Sequence, residues 1–461
     1  MLSQETIDKW SWFYRFLQVF VVRPIHSFYY RKIKIVNADV IPRNKPVILA
    51  PNHQNALMDA MALVAGIDFQ TIFLTRADIF KGNFLIKVLT FFKMLPVYRI
   101  RDGYSSLQNN DRIFGITVNI LHRGSSPLLL FPEGNHGDKR RLRPLVKGIF
   151  RIAFQAQEKY KSAPGVKIIP VGLDYSHYWK FRNTQLIIFG EPIEVSDFWK
   201  LYTENETTAV NALKEKLAGE MKKYMIHVEP EDYYELYMGL KSLYRKKMCS
   251  REGLHFGDLY DNFIADKKLI AILDTCNEKE PETLKELNEL YMSYSNLRTS
   301  LNLRDWVAEK KSYPVIPNII VLLLSVVMWP LVLLGLFNNW PHFFIPVRFT
   351  RNVKDKQFWS TAKWGSGLGI MIIYYPIIAI LALIFLPLWW IKLLYLITMY
   401  HSGIFAYNYR NFLVKTWARI RYSVRTYRKD PKTMEFKALY DRIISLTDKI
   451  IENNLPTSDN N

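Results

Sequence analysis

Residues 46–66 read PVILAPNHQNALMDAMALVAG. A short apolar run, 46–50, gives way to a polar turn. An apolar stretch of helical length follows. Such a run suits a buried strand, and the stretch after it suits a helix lying against a sheet. The same alternation continues outward in both directions. Further short runs at 70–75, 95–98, 127–132, 166–172 and 185–190 predict strands, and segments near 57–66, 82–93, 108–122 and 145–160 predict helices between them. Strands interleaved with helices define an α/β class, a sheet covered by helices, whose strand ends carry loops available for chemistry. We place this domain at 33–200.

Residues 10–30, WSWFYRFLQVFVVRPIHSFYY, are aromatic and apolar but broken by Arg15 and Arg23. The pattern predicts an amphipathic, membrane-associated helix over 1–32, lying in the headgroup plane rather than crossing it; a buried amino-terminal helix is the other reading. The opening residues have no basic stretch leading into an apolar one, so no cleavable signal peptide is expected. Residues 201–312 read as charged helices, one of them opened by Glu280 and Pro281. Residues 317–337 and 365–391 contain no charged side chain. Each is long enough to cross a hydrocarbon core about 30 Å thick, and we assign membrane helices to 313–400. A basic tail, 401–461, mixes arginine with aromatic residues and suits an anionic leaflet. If both segments span, their connecting loop lies opposite the enzyme. Yet 338–364 carries five Lys or Arg, against the usual charge bias. Re-entrant or interfacial helices would remove that conflict.

The chain has 461 residues, room for more than one domain, and is 49% hydrophobic, which excludes a disordered polymer. Its 12 tryptophans fit an interfacial protein, and its net charge of +20 calls for a polyanionic partner. Apolar segments and the lack of a zinc-finger, helix-turn-helix or RNA-binding signature favour anionic membrane lipid over nucleic acid. Only two cysteines occur, Cys249 and Cys276, so no disulfide framework is implied.

Four local patterns carry chemistry. His53 sits on the turn between the first strand and its helix, with Asp59 six residues on. Imidazole can take a proton from a hydroxyl near neutral pH, and a carboxylate that reached back would fix its tautomer. Phe131-Pro132-Glu133-Gly134-Asn135 ends a buried strand, and Lys139, Arg140, Arg141, Arg143 and Lys147 follow. Backbone N–H groups and cations there could hold a phosphate. Arg99 and Arg101 follow another strand, and arginine clamps phosphomonoesters bidentately. Ile169-Pro170-Val171-Gly172 is an apolar strand bearing a proline. His122, His136 and His177 are possible additions to the site. No HExxH or clustered ligand set indicates a metal.

In this order the four patterns resemble the blocks of the glycerolipid acyltransferase family, the glycerol-3-phosphate and lysophosphatidate acyltransferase type, over roughly 40–195. Asn52–Asp59 is similar to the His-and-Asp block, Val97–Arg101 to the block with a basic residue after a strand, Phe131–Asn135 to the Phe-Pro-Glu-Gly block and Ile169–Val171 to the proline block. The His-to-Asp spacer is five residues where four is commonest, and Asn135 stands where many members have Thr or Ser.

The resemblance implies direct acyl transfer from an acyl thioester, acyl-CoA or acyl carrier protein, to a glycerol-phosphate hydroxyl, with no bound cofactor or metal. His53 would be the base and Asp59 its orienting partner. Asn52, Arg99, Arg101, Glu133, Gly134, Asn135, Lys147 and Pro170 would form the substrate site. The site is expected at a membrane, facing the cytoplasm. The competing expectation is a lipid-binding scaffold of this fold without turnover, which would not need His53 and Asp59.

Overall fold

The computed structural model describes residues 7–98, 104–160 and 165–454, with the side chains of 104–109 left aside. Arg99 and Arg101 therefore lie outside the described residues. The chain divides into two compact units. One holds the residues up to His227 together with Val353–Trp364; the other holds Val228–Asn352 and Gly365–Asn461.

The first unit is built on an eight-stranded mixed sheet. Its strands are β1 (Tyr30–Val36), β2 (Val47–Pro51), β3 (Ile72–Arg76), β4 (Met94–Val97), β5 (Leu128–Leu129), β6 (Lys167–Tyr175), β7 (Asn183–Phe189) and β8 (Ile193–Glu194). The spatial order is β1-β7-β6-β2-β5-β3-β4, with β8 also on β6. Pairs are parallel except those of β6 with β7 and β8. Val47, Ile48, Leu49 and Ala50 of β2 are wholly buried, as a strand covered on both faces must be.

Helices α1 (Trp12–Leu17), α2 (Arg23–Tyr29), α3 (Leu57–Gly66), α4 (Gly82–Phe91), α5 (Tyr104–Arg123), α6 (Gly148–Tyr160), α7 (Trp199–Glu204) and α8 (Glu206–Tyr224) complete this unit. Phe150 and Phe154 of α6 and Leu213 and Leu217 of α8 share one core with Ile48, Ile72, Leu128 and Ile168 of the sheet. The unit runs past residue 200 because α8 closes onto β6: a Cβ on Gly172 would stand 1.7 Å from the Tyr224 carbonyl oxygen. Asn205 accepts from the Thr208 N–H and caps α8.

The amino-terminal segment is amphipathic in an unusual sense. Its polar side chains point inward. Gln18 is buried and donates to the carbonyls of Val64, Ile67 and Phe69, while Arg15 and Arg23 converge on Asp68. Its aromatic side chains, Trp10, Trp12, Phe13, Phe16 and Phe20, are exposed, as are Phe84 and Leu85 of α4. The rings of Phe13 and Tyr14 meet Phe91, so α1 and α4 present one apolar surface.

In the second unit, α9 (Tyr234–Arg251), α10 (Leu259–Lys279), α11 (Pro281–Ser300) and α16 (Pro431–Asn454) pack as a bundle. The apolar helices are α12 (Val315–Ser325), α13 (Trp329–Thr350), α14 (Trp359–Phe385) and the long α15 (Trp389–Tyr427). The stretches Val315–Thr350 and Lys356–Phe385 are long and apolar enough to cross a membrane, and side chains such as Ile316, Leu323, Val327, Ile373 and Phe385 are exposed. The interior of this group is polar and close-packed. Asn339 donates to the Met399 carbonyl and accepts from the Tyr375 hydroxyl, and a Cβ on Gly335 would meet the Ser402 carbonyl at 2.2 Å.

The loop joining the two apolar stretches divides between the units. Val353–Trp364 packs within the sheet-bearing unit.

Candidate active site

β2 ends where the main chain needs a new hydrogen-bond partner, and Asn52 supplies it. Its N–H donates to the Val171 carbonyl, and its buried amide both donates to the Leu173 carbonyl and accepts from the Leu173 N–H. This side chain extends the ladder to β6 by one step; it does not line a ligand surface. The turn then closes through Ala56, at φ 45° and ψ −129°, a region L side chains rarely occupy.

The turn brings Asp59 back to His53. Asp59 lies in the first turn of α3 and is completely buried. Its Oδ2 accepts from His53 Nδ1 at 2.9 Å and from the N–H groups of Gln54 and Asn55 at 2.8 and 2.7 Å. Its Oδ1 accepts from the Tyr175 hydroxyl at 2.8 Å. Burial, with Asp59 and Tyr30 alongside, holds the Tyr175 phenol far above its usual range, so it stays a donor. Four donors and the positive end of α3 offset the cost of burying this charge. The His53 side chain is 14% exposed. One face stacks on Phe131, centroids 3.9 Å apart, and His136 stands edge-on at 5.6 Å. With Nδ1 held, Nε2 is the ring nitrogen left for a substrate.

The Phe-Pro-Glu-Gly turn supports this pair from beneath. Glu133 Oε1 accepts from the His53 N–H at 2.9 Å, and Oε2 accepts from the N–H and Nε of Arg143 at 3.2 and 3.3 Å. Its side chain is almost wholly buried, which pushes the carboxyl above its usual range against the lowering effect of those donors. Glu133 is thus a brace for the histidine turn and not a lining residue. A carboxylate facing a phosphate would repel it. Gly134 sits at φ +67°, and a Cβ there would stand 2.8 Å from Val146 Cγ1, so the turn requires glycine. Asn135 and Lys147 are exposed, the latter just before α6. Pro170 is buried within β6 opposite Ala50, and its carbonyl accepts from the Gly190 N–H. The strand places it among covered residues of the sheet.

The basic run divides. Arg140 is buried against Asp174 and the Tyr175 carbonyl and lies over the Tyr178 ring, whereas Arg143 remains partly exposed beside Glu133. His122 packs on Tyr160, and the His177 carbonyl accepts from the Asn183 amide; neither joins His53. His136 does, and Asp355 Oδ2 lies 3.3 Å from its Nε2. Burial pulls the His136 imidazole below its ordinary range, opposed by Asp355 and reinforced by His53.

Sequence reading missed Tyr175 and the whole contribution of 353–364. Tyr175 could have been found by counting along β6, where it falls on the buried face beyond the proline block. Asp355 carries no local signal, since it lies 219 residues from His136.

The site is thus a His–Asp pair with its carboxylate buried, braced by a glutamate turn on a mixed sheet. Residues 32–174 match the Acyltransferase family model. The chain is similar to glycerol-3-phosphate O-acyltransferase 1 of Saccharomyces cerevisiae, 36% identical over 88 residues, which are 19% of this chain and 12% of the yeast protein. It is also similar to glycerol-3-phosphate O-acyltransferase 2 of the same yeast, 28% identical over 121 residues, 26% of this chain and 16% of that one. The chain thus spans only about an eighth to a sixth of the length of these relatives. Among solved structures, the 1-acyl-sn-glycerophosphate acyltransferase PlsC of Thermotoga maritima aligns at 16% identity with a TM-score of 0.27, covering 43% of this chain and 81% of that one.

Proposed function

We propose that the protein transfers a fatty acyl group from an acyl thioester to a hydroxyl of a glycerol-phosphate acceptor at a membrane surface. The observation that carries this reading is the His53 Nδ1–Asp59 Oδ2 bond of 2.9 Å, with Nε2 left for substrate. The acceptor hydroxyl gives its proton to Nε2 as its oxygen attacks the thioester carbonyl. Asp59, unable to turn away from its four donors, keeps the ring oriented and stabilises the imidazolium. The tetrahedral centre collapses, the C–S bond breaks, and the imidazolium returns the proton to the leaving thiolate. Atoms and charge balance without a metal or bound cofactor. The matched relatives favour glycerol 3-phosphate as the acceptor, with lysophosphatidate as its rival. Acyl-CoA or acyl carrier protein is the donor, so we assign the site to the cytoplasmic face.

The exposed aromatic surface of α1 and α4 supports an interfacial setting, because rings of this kind settle at headgroup depth. Anionic lipid suits the charge of +20.

Purified protein in detergent, beside His53→Ala, would be assayed for transfer from labelled acyl-CoA and acyl carrier protein to glycerol 3-phosphate, lysophosphatidate and a lysophospholipid. Turnover on one acceptor, lost in the variant, establishes the activity and its substrate. Equal turnover by the variant removes His53 from the mechanism. Folded protein silent on every pairing favours the lipid-binding reading.

A further inference from the structure

The segment Val353–Trp364 belongs in sequence to the apolar helices, yet it packs around the His–Asp pair. Asp355 reaches His136 Nε2 at 3.3 Å. The Phe358 ring meets His136 edge-on, centroids 4.8 Å apart. Ser360, completely buried, donates to Asn55 Oδ1, and the Asn55 N–H is one of the donors to Asp59. Lys363 Nζ donates to the Trp179 carbonyl at 2.7 Å, with Trp359 against the Trp179 ring. These contacts fall on both sides of the pair: one set on the turn that holds Asp59, the other on the ring beside His53. A segment that merely crossed the surface would not bury a serine hydroxyl in the turn of the general base.

We propose that Val353–Trp364 is a wall of the active site and that Asp355 is a positioning residue, setting His136 against His53. The proposal rests on the acyl-transfer reading for its kinetic consequence and on geometry alone for its placement. In the acyl-transfer reading the acceptor hydroxyl, about 3 Å from His53 Nε2, approaches beside His136, whose ring centroid stands 5.6 Å from that of His53. An oriented His136 restricts how the acceptor enters, and it loses that orientation when Asp355 no longer holds it. The effect belongs to the acceptor and not to the acyl donor. The acyltransferase-family domain, residues 32–174, is therefore incomplete as a site without the link between the apolar helices.

The test uses the full chain in detergent or nanodiscs, with Asp355→Asn, Asp355→Glu, His136→Asn and the Asp355→Asn/His136→Asn double variant. The expected result is a roughly tenfold loss of kcat/KM for the acceptor in Asp355→Asn, with the donor KM and the melting temperature unchanged and partial recovery in Asp355→Glu. The double variant should be no worse than His136→Asn alone, since both remove one interaction. A second arm needs no turnover: carbethoxylation of His136 by diethyl pyrocarbonate, followed by peptide mass spectrometry, should run at least threefold faster in Asp355→Asn. Faster modification in a protein that transfers no acyl group sustains the wall and overturns only the acyl-transfer reading. Unchanged modification, or losses that add in the double variant, overturns the proposal.

Discussion

At the scale of single residues, the decisive group is Asp59. Its two oxygens accept four hydrogen bonds, three on Oδ2 and one from the Tyr175 hydroxyl on Oδ1. Removing the charge while keeping the shape separates its structural and electrostatic duties. In Asp59→Asn the amide oxygen can still meet the turn, but the imidazolium loses its counter-charge. We expect kcat to fall by about 10²–10⁴-fold while the fold persists, checked by steady-state kinetics beside a thermal melt. A variant that unfolds instead would make Asp59 chiefly a structural group. The histidine and aspartate themselves were legible in the sequence, as was the glutamate turn. Their roles were legible only in part. Glu133 and Pro170 are motif positions that support the site from within, because motif membership marks a constraint and does not say whether the constraint is contact or support.

At the scale of elements, the alternation of apolar runs located β2, β3, β4, β6 and β7 to within a few residues, and the four helices among them likewise. Three strands behaved differently for physical reasons. β1, YRKIKIV, is an edge strand with most of its side chains partly or fully exposed, so it lacks the continuous apolar run that marks its neighbours. β8 has only two residues and gains its hydrogen bonds from β6. β5 pairs over Leu128–Leu129 alone, since Phe131 and Pro132 leave the sheet to form the glutamate turn. The turn between β2 and α3 carries its own cost. Ala56 at φ 45° forgoes on the order of 1–3 kcal/mol as a non-glycine residue in a sparse region, against roughly 0.5–1 kcal/mol of extra chain entropy that glycine would lose on folding. The balance favours glycine. Ala56→Gly should raise the melting temperature by a few degrees, corresponding to about 1 kcal/mol, with turnover retained. A lower melting temperature would show that the buried methyl group outweighs the strain.

For the whole molecule, composition anticipated the two stretches long and apolar enough to cross a membrane, but no periodicity could show that 353–364 packs with the sheet. Long-range pairing of this kind leaves no local pattern. Stability against pH is a further whole-molecule property. His26 is buried, its Nε2 paired with Gln185 Oε1 at 2.8 Å, and burial drives its pKa down to about 4. The unfolded chain takes up this proton near pH 6.5, whereas the folded chain resists until about 4. Protons thus favour unfolding throughout that window. Stability falls as pH drops from 6.5 towards 4, by on the order of 3 kcal/mol at the acid end. His26→Gln, which keeps a donor for Gln185, should flatten the acid arm of a melting-temperature profile in this window. An unchanged slope would place the acid sensitivity elsewhere.

Synthesis runs from the amino end, and the order of the chain sets a timetable. His53, Asp59, Glu133 and Tyr175 leave the ribosome early, enough to fold a sheet around the proton-transfer pair. Ser360 and Asp355 emerge only after Val315–Thr350, a stretch long and apolar enough to cross a membrane. The nascent chain thus carries His53 long before the segment that packs beside it. An unfinished chain would hold the His53–Asp59 pair without Asp355 and Ser360 packed beside it.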